Sequence, residues 1–294
     1  MGGRDLFKNL LVKMGKGGTT ANLKLDRSEY LPGETVRGEL KVDGGLVTQQ
    51  INEIEVELLL VIRANEKPFR HTLHKSPIGE PFSLPPDTWR TFPFSCRLPE
   101  DLPVSGKTVT YSLVTRLDIE GGMDHTNQNY IRIQPPPRLQ PVLRAFSQLG
   151  FREKYGSRTF NGYTQEFMLF PTRLLQSQVK EIRFAATMEE KGVRLLLEVD
   201  AISSAAEKEI LRELYLENQL LDQEETLKKH LADRLTETVE HPTDWQQTRP
   251  SRHKHQSLSR AGLVGGFAAG VLGPGVLSEL GEEEKAHPEE GREL

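Results

Sequence analysis

From Thr20 to Ile133 apolar and polar residues alternate with a period of two, and proline–glycine turns cut the alternation into short runs. No other feature restricts the chain as strongly, because alternate side chains of a strand point to opposite faces of a sheet. Leu23 and Leu25 share one face of TTANLKLD, and Val36, Leu40 and Val42 share one face of TVRGELKV. EIEVELLLVI carries Leu58-Leu59-Leu60, which predicts burial on both sides. RTFPFSCRL, TVTYSLVTRLDIE and NYIRI follow, and Pro93 consigns its strand to an edge or a bulge. Leu31-Pro32-Gly33-Glu34, Asp43-Gly44-Gly45, Pro85-Pro86-Asp87 and Leu102-Pro103 supply the turns. Residues 19–134 therefore read as an antiparallel β-sandwich.

The flanks differ. In residues 1–18, Leu6, Phe7, Leu10, Leu11 and Met14 recur at helical spacing, and Gly17-Gly18 ends the run. A helix docked on the next domain and a surface helix touching a membrane both fit this short moment. Pro135–Pro141 reads as an extended, semi-rigid linker. Residues 142–241 read as a second β-sandwich lobe with helices. It begins with a short helix over Val142–Leu149, then strands at FREKYGSRTF, YTQEFMLFP, EIRFAATMEE and GVRLLLEVDAI. In the last strand Val193, Leu195, Leu197 and Val199 share one face and Leu196 takes the other. From Ser203 the period turns helical through Ile210, Leu211, Leu214, Leu220, Leu221, Leu227, Leu231 and Leu235. Ser203 or Ser204 is placed to cap it, Glu207 completes a capping box with Ser204, and Asn218–Asp222 is a predicted break. This stretch suits a helix covering a sheet, or a seam for a partner helix.

Residues 242–294 form three blocks and are read as a mostly disordered tail. Arg249, Arg252, Lys254 and Arg260 form a basic block, with no acid between Gln246 and Arg260. The 17 residues Ala261–Leu277 are uncharged, and an acidic terminus follows. Gly262, Gly266 and Gly270 are spaced by four with Phe267 among them, which on a helix lets backbones approach closely. Three readings stand: a flexible tail, contact with a membrane, and self-association or partner docking. The stretch sits at the short limit for crossing a bilayer, and the basic flank would keep the protein body in the cytoplasm.

Composition narrows the function. The 294 residues carry 38 Lys and Arg against 42 Asp and Glu, a net charge of -4, which argues against a nucleic-acid partner. A single cysteine excludes an internal disulfide and fits a reducing cytosol. The N-terminus lacks the continuous apolar core of a secretory signal. No phosphate-binding loop, zinc-protease helix or nucleophile elbow occurs. Cys96 lies in a strand beside Phe94 and reads as a core residue. His71 and His74 belong to a strand or loop that does not converge them, and His253 and His255 lie in the tail. No catalytic residue, metal or cofactor is expected.

One ordered set of motifs is more specific. YLPGETV at Tyr30–Val36, then Gly38, looks like the early hairpin of arrestin-like domains, with Tyr30, Pro32, Gly33 and Glu34 as its signature turn. VDGG, VTQQINEIEVEL, GEPFSLPP, FPFSCRLPEDLPVSG and VTRLDIEGGMDHTNQNYIRI follow, then YTQEFMLFP, GVRLLLEVDAI and GLVGGFAAGVLG. Together they resemble the bacterial sporulation-control family of stage-zero sporulation protein M, over nearly the whole chain. The resemblance implies a mainly β fold with two arrestin-like antiparallel β-sandwich lobes, the second with an added helical segment. It also implies a non-enzymatic regulator linked to cell division and developmental control.

Two functional expectations follow. One is a cytoplasmic scaffold that binds protein partners through sheet faces or edges, including a second copy of itself. The other is a membrane-peripheral regulator held by its C-terminal segment. Neither identifies the partner.

Overall fold

The computed structural model describes residues 8, 17–63, 68–160, 164–202, 208–241 and 246–248. Apart from Lys8, Gly17 and Gly18, the expected N-terminal helix lies outside these residues, as do the Ser203/Ser204 cap, the two tail histidines and Gly262, Gly266, Phe267 and Gly270. The chain is mainly β and divides into two compact units. The first takes Met1–Val61, Arg70–Glu100 and Thr110–Ile133; the second takes Ile62–Phe69, Asp101–Val109 and Gln134–Leu294. Two segments from inside the expected first sandwich thus count with the second unit.

The strands of the first half are β1 (Thr20–Leu25), β2 (Glu29–Tyr30), β3 (Thr35–Asp43), β4 (Gln49–Ile62), β5 (Phe69–Pro77), β6 (Phe82–Leu84), β7 (Trp89–Arg97), β8 (Val109–Ile119) and β9 (His125–Ile133). They form a three-stranded sheet, β1-β3-β7, and a six-stranded sheet, β2-β9-β8-β4-β5 with β6 beside β4. Alternation produces the burial: Ala21, Leu23, Val36, Leu40, Val42, Phe94 and Cys96 are buried, while the residues between them are wet or half-buried. Leu58 and Leu60 are fully buried and Leu59 half so. β7 is an edge strand, and Pro93 sits there opposite Glu39.

The longest segment of the second unit starts where the linker was expected. Gln140 and Pro141 belong to helix α1 (Gln140–Gln148) rather than to an extended spacer. Proline suits a first helical turn, whose N–H has no partner in any case. Leu139 is fully buried, and Arg138 donates to the carbonyls of Glu189 and Gly192, so the segment is fastened down. Next come β10 (Phe151–Glu153), β11 (Thr159–Phe160), β12 (Gln165–Pro171), β13 (Val179–Glu189), β14 (Gly192–Ala201) and β15 (Lys208–Glu217). Helices α2 (Asn218–Leu221) and α3 (Glu224–Glu240) and strand β16 (Gln246–Thr248) complete it. Its strands form one seven-stranded sheet, β10-β12-β13-β14-β15-β16, with β11 on β12.

The helical period expected from Ser203 fails at its start, because Lys208–Glu217 is strand β15, paired with β14 along its length. Ile210, Arg212, Leu214 and Leu216 are its buried row. An arginine in that row, and Leu211 on the other side, concealed the alternation. Ten residues of ladder with β14 override the local helix propensity. The break falls at Asp222–Gln223, and Leu227, Leu231 and Leu235 form the buried stripe of α3. β16 lies inside the stretch expected as tail, on the otherwise open edge of β15. One core unites α1, α3 and a single sheet face: Phe146 stacks on Phe184 at 5.4 Å, and Phe184 on Phe167 at 5.0 Å.

Candidate functional site

The signature turn is a structural lock. Gly33 has φ +78°, a conformation that favours glycine, and its N–H donates to the Pro99 carbonyl at 2.9 Å. Glu34 accepts from the Leu31 amide at 2.7 Å and pairs with Arg27 at 3.0 Å. The Leu31 amide, with help from Arg27, holds the Glu34 carboxyl below the usual range. Pro32 precedes the glycine and sets the approach. Tyr30 is buried, which raises its phenol's pKa, and it donates to the Arg27 carbonyl at 2.7 Å under the Arg27 guanidinium. Tyr30, Gly33 and Glu34 are each used in tying down this corner.

A second polar constellation lies on β4, β5 and β8. Lys75 reaches Glu55 and Glu57, each at 2.9 Å, and Arg116 reaches Glu57 at 3.3 Å. Burial alone pushes the Glu57 carboxyl up, but hydrogen bonds from Lys75 and Arg116 outweigh it and keep it below its ordinary value. On β9, His125, Asn127 and Asn129 face β1. The Ala21 N–H donates to His125 Nδ1 at 3.2 Å, and Asn129 Nδ2 donates to the Leu23 carbonyl at 2.9 Å. Side chains thus complete an edge that backbone pairing leaves open.

The most concentrated charge lies on the second unit's sheet, on the face opposite the aromatic core. Alternation sends Ile182 and Phe184 into that core and Glu181 and Arg183 the other way. Register places Glu181, Asp200 and Glu209 side by side on β13, β14 and β15, with Arg183 opposite Glu198 in the next row. Arg183 pairs with Glu198, approaches Glu181 at 3.4 Å and Glu209 at 3.7 Å, and is 5% exposed. Glu198, Asp200 and Glu209 are 1%, 5% and 7% exposed. Lys180 approaches Asp200 at 3.9 Å and Lys154 pairs with Glu181. Burial this complete is costly for charges unless opposite charges and hydrogen bonds surround them.

Sequence reading missed this face, although EIRF in β13 and LEVD in β14 carry its signal: charge and apolarity alternating within a strand. No group of three or more His, Cys, Asp or Glu among the described residues could hold a metal ion. Cys96 is buried, burial raises its thiol's pKa, and its Sγ contacts the Arg97 carbonyl at 3.8 Å. His71 and His74 lie along strand β5. Among the described residues, no helix is long and apolar enough to cross a membrane.

A family model described as SpoOM protein matches residues 7–202. The sporulation-control protein spo0M of Bacillus subtilis is 30% identical over 209 residues, 67% of this chain and 81% of that protein. The crystal structure of Spo0M, sporulation control protein, from Bacillus subtilis superposes with a TM-score of 0.58 at 26% identity. It covers 75% of this chain and 99% of that one.

Proposed function

The chain belongs to the SpoOM protein family, and from that premise we propose that it is a regulator that acts by holding protein partners. Correspondence along most of the length with a sporulation-control protein carries this reading. The described chemistry fits it: paired ions, a buried thiol and open sheet edges suit binding rather than turnover. The process it serves is developmental and division control, in the cytoplasm.

Reversible cross-linking of the tagged full-length chain in its own cells tests the proposal. A reproducible small set of proteins should be captured, and losing this chain should shift the same division or developmental step as losing those proteins. Capture no better than that of an unrelated β-protein, with no such shift, overturns it.

A second reading is tethering to a bilayer through Ala261–Leu277, favoured by 17 uncharged residues between a basic and an acidic block. Flotation with liposomes decides it. The full chain should float and a chain ending at Ser259 should not, whereas equal failure to float rejects it.

A further inference from the structure

The loop between β12 and β13 in the second unit is short and firmly held. The Leu174 N–H donates to the Leu149 carbonyl at 3.3 Å, and those of Gln178 and Val179 both donate to the Leu175 carbonyl at 2.9 Å. The Ile202 N–H donates to the Gln178 carbonyl at 2.7 Å. Thr172 donates through both its N–H and its hydroxyl to the Gly150 carbonyl. Gly150, at φ +90°, lies against the stem of Arg173, where an added Cβ would come within 2.6 Å of Arg173 Cβ. Leu175 has φ +59°, a conformation a leucine rarely adopts. Such backbone persists where its surroundings over-determine it, and it clusters at ligand sites.

Between this loop and the last turn of α3 lies a cavity of about 690 Å³, within the size range of small-molecule sites. Its loop side carries Arg173 and the amides of Gln176 and Gln178, and its helix side carries Thr236 and Glu240. Leu174 and Leu175 also line it and pack on the unit's core. Arg173 and Glu240 are exposed, and among the described residues neither side chain has an ion pair or hydrogen bond, with the other or with any third group. α3 has no basic residue in its last turn, so Glu240 and the helix dipole present negative charge together. Two unpaired charges of opposite sign on two elements around one cavity match a ligand that carries both charges itself.

We propose that this cavity binds a short free peptide of about three residues, which spans about 10 Å when extended. Arg173 takes the terminal carboxylate, and Glu240 with the end of α3 takes the terminal ammonium. The Gln176 and Gln178 amides serve the peptide groups, and Leu174 and Leu175 receive an apolar side chain. The opposed charges carry the assignment, since an arginine alone would accept any anion and a glutamate alone any cation. The site is independent of which partner the regulatory role employs.

Titrating the isotope-labelled full chain with alanyl-leucyl-alanine, followed by amide NMR shifts, tests it. The amides of Gln176, Ser177, Gln178 and Glu240 should shift together and approach saturation by about 20 mM peptide. Acetylating the peptide's amine, or amidating its carboxylate, should each weaken binding roughly 10-fold, because one wall's charge is then left unpaired. Arg173→Gln should weaken binding of the free peptide by a similar factor and no longer distinguish it from the amidated form. Glu240→Gln should do the same for the acetylated form. Both positions are exposed, and the capped peptides probe the parent chain, so the result stands even where a variant folds poorly. Absence of a saturable shift at these amides overturns the proposal, as do shifts that both variants leave untouched. Equal binding of free and capped peptides assigns the cavity to an internal segment of a polypeptide and likewise overturns it.

Discussion

The two units solve the burial of a sheet face differently. In the first, the three-stranded sheet alternates one dry face with one wet face, the six-stranded sheet is buried on both faces along parts of β4 and β8, and polar side chains finish the β1 edge. In the second, one sheet turns its apolar face to helices α1 and α3 and keeps a row of nearly dry charges on the other. Only the helix-covered face contributes to the apolar core. Ala185 and Leu196 are buried on the opposite face but lie outside that cluster. The first unit is therefore stabilised along both sheets, and the second leans on one layer of aromatic and aliphatic contacts. The charges on its other face are paired across strands and contribute little net stability.

The strongest way to break this comparison is to empty the helix-covered layer. Phe184 is fully buried between Phe146 and Phe167, and Phe184→Ala should cost the second unit about 4 kcal/mol. Amide exchange should accelerate across β13, β14 and α3 and stay unchanged in β1 and β3. Equal acceleration in both would show that the units do not rely on separate cores.

Next in size is the ion pair on the other face. Arg183→Leu leaves Glu198 buried without its arginine and should cost about 3 kcal/mol. Arg183→Leu with Glu198→Leu should return close to the parent stability, because two desolvated charges are replaced by apolar contact. Urea denaturation of the three proteins checks this. A double variant as unstable as the single one would mean the charges stabilise the sheet itself.

A smaller effect belongs to the first unit's edge. Asn129→Ala removes the donor to the Leu23 carbonyl and should cost about 1 kcal/mol. Faster exchange confined to β1 and β3 is the expected signature, and no change there would mean the edge is closed by backbone alone.

The same contrast explains what could be read from the sequence. β1, β3, β8 and β9 were legible because each strand has one apolar row and turn residues at its ends. β13 and β14 were legible as strands, but their charged row was not recognised, because a buried Glu198 and an exposed glutamate are the same letter. β15 was misread because Arg212, which belongs to its buried row, interrupts the apolar positions. Its guanidinium donates to the Arg234 carbonyl, to Thr238 Oγ1 at 2.6 Å and to Glu237 at 2.8 Å, all on α3. That use of a charge depends on a helix 22 residues further along the chain, beyond any local pattern. The Tyr30–Glu34 turn was legible because its chemistry is local: a proline, a positive-φ glycine and a glutamate bonded three residues back.

The mildest test uses acid, and it separates the units by mechanism. Burial lowers the pKa of His125 in the first unit. Burial, with Arg234 and Arg212 against Asp233, lowers that of His230 in the second. Burial favours the neutral imidazole of each in the folded state, while the unfolded chain takes up a proton near pH 6.5. The unfolded state therefore binds more protons as pH falls. The stabilisation is present above about pH 6.5 and is lost as pH drops toward the folded values. A global loss of stability on acidification is expected from each histidine. The local consequence differs. His125 Nδ1 accepts the Ala21 N–H, so a proton on that nitrogen removes the acceptor and opens the β1 edge. Exchange of the Ala21 amide, corrected for intrinsic rate, should rise several-fold between about pH 7.5 and about pH 5.5 in the parent chain. It should lose this dependence in His125→Gln and keep it in His230→Gln. A parent chain whose Ala21 protection is flat across that range would remove the edge as the point where the first unit yields to acid.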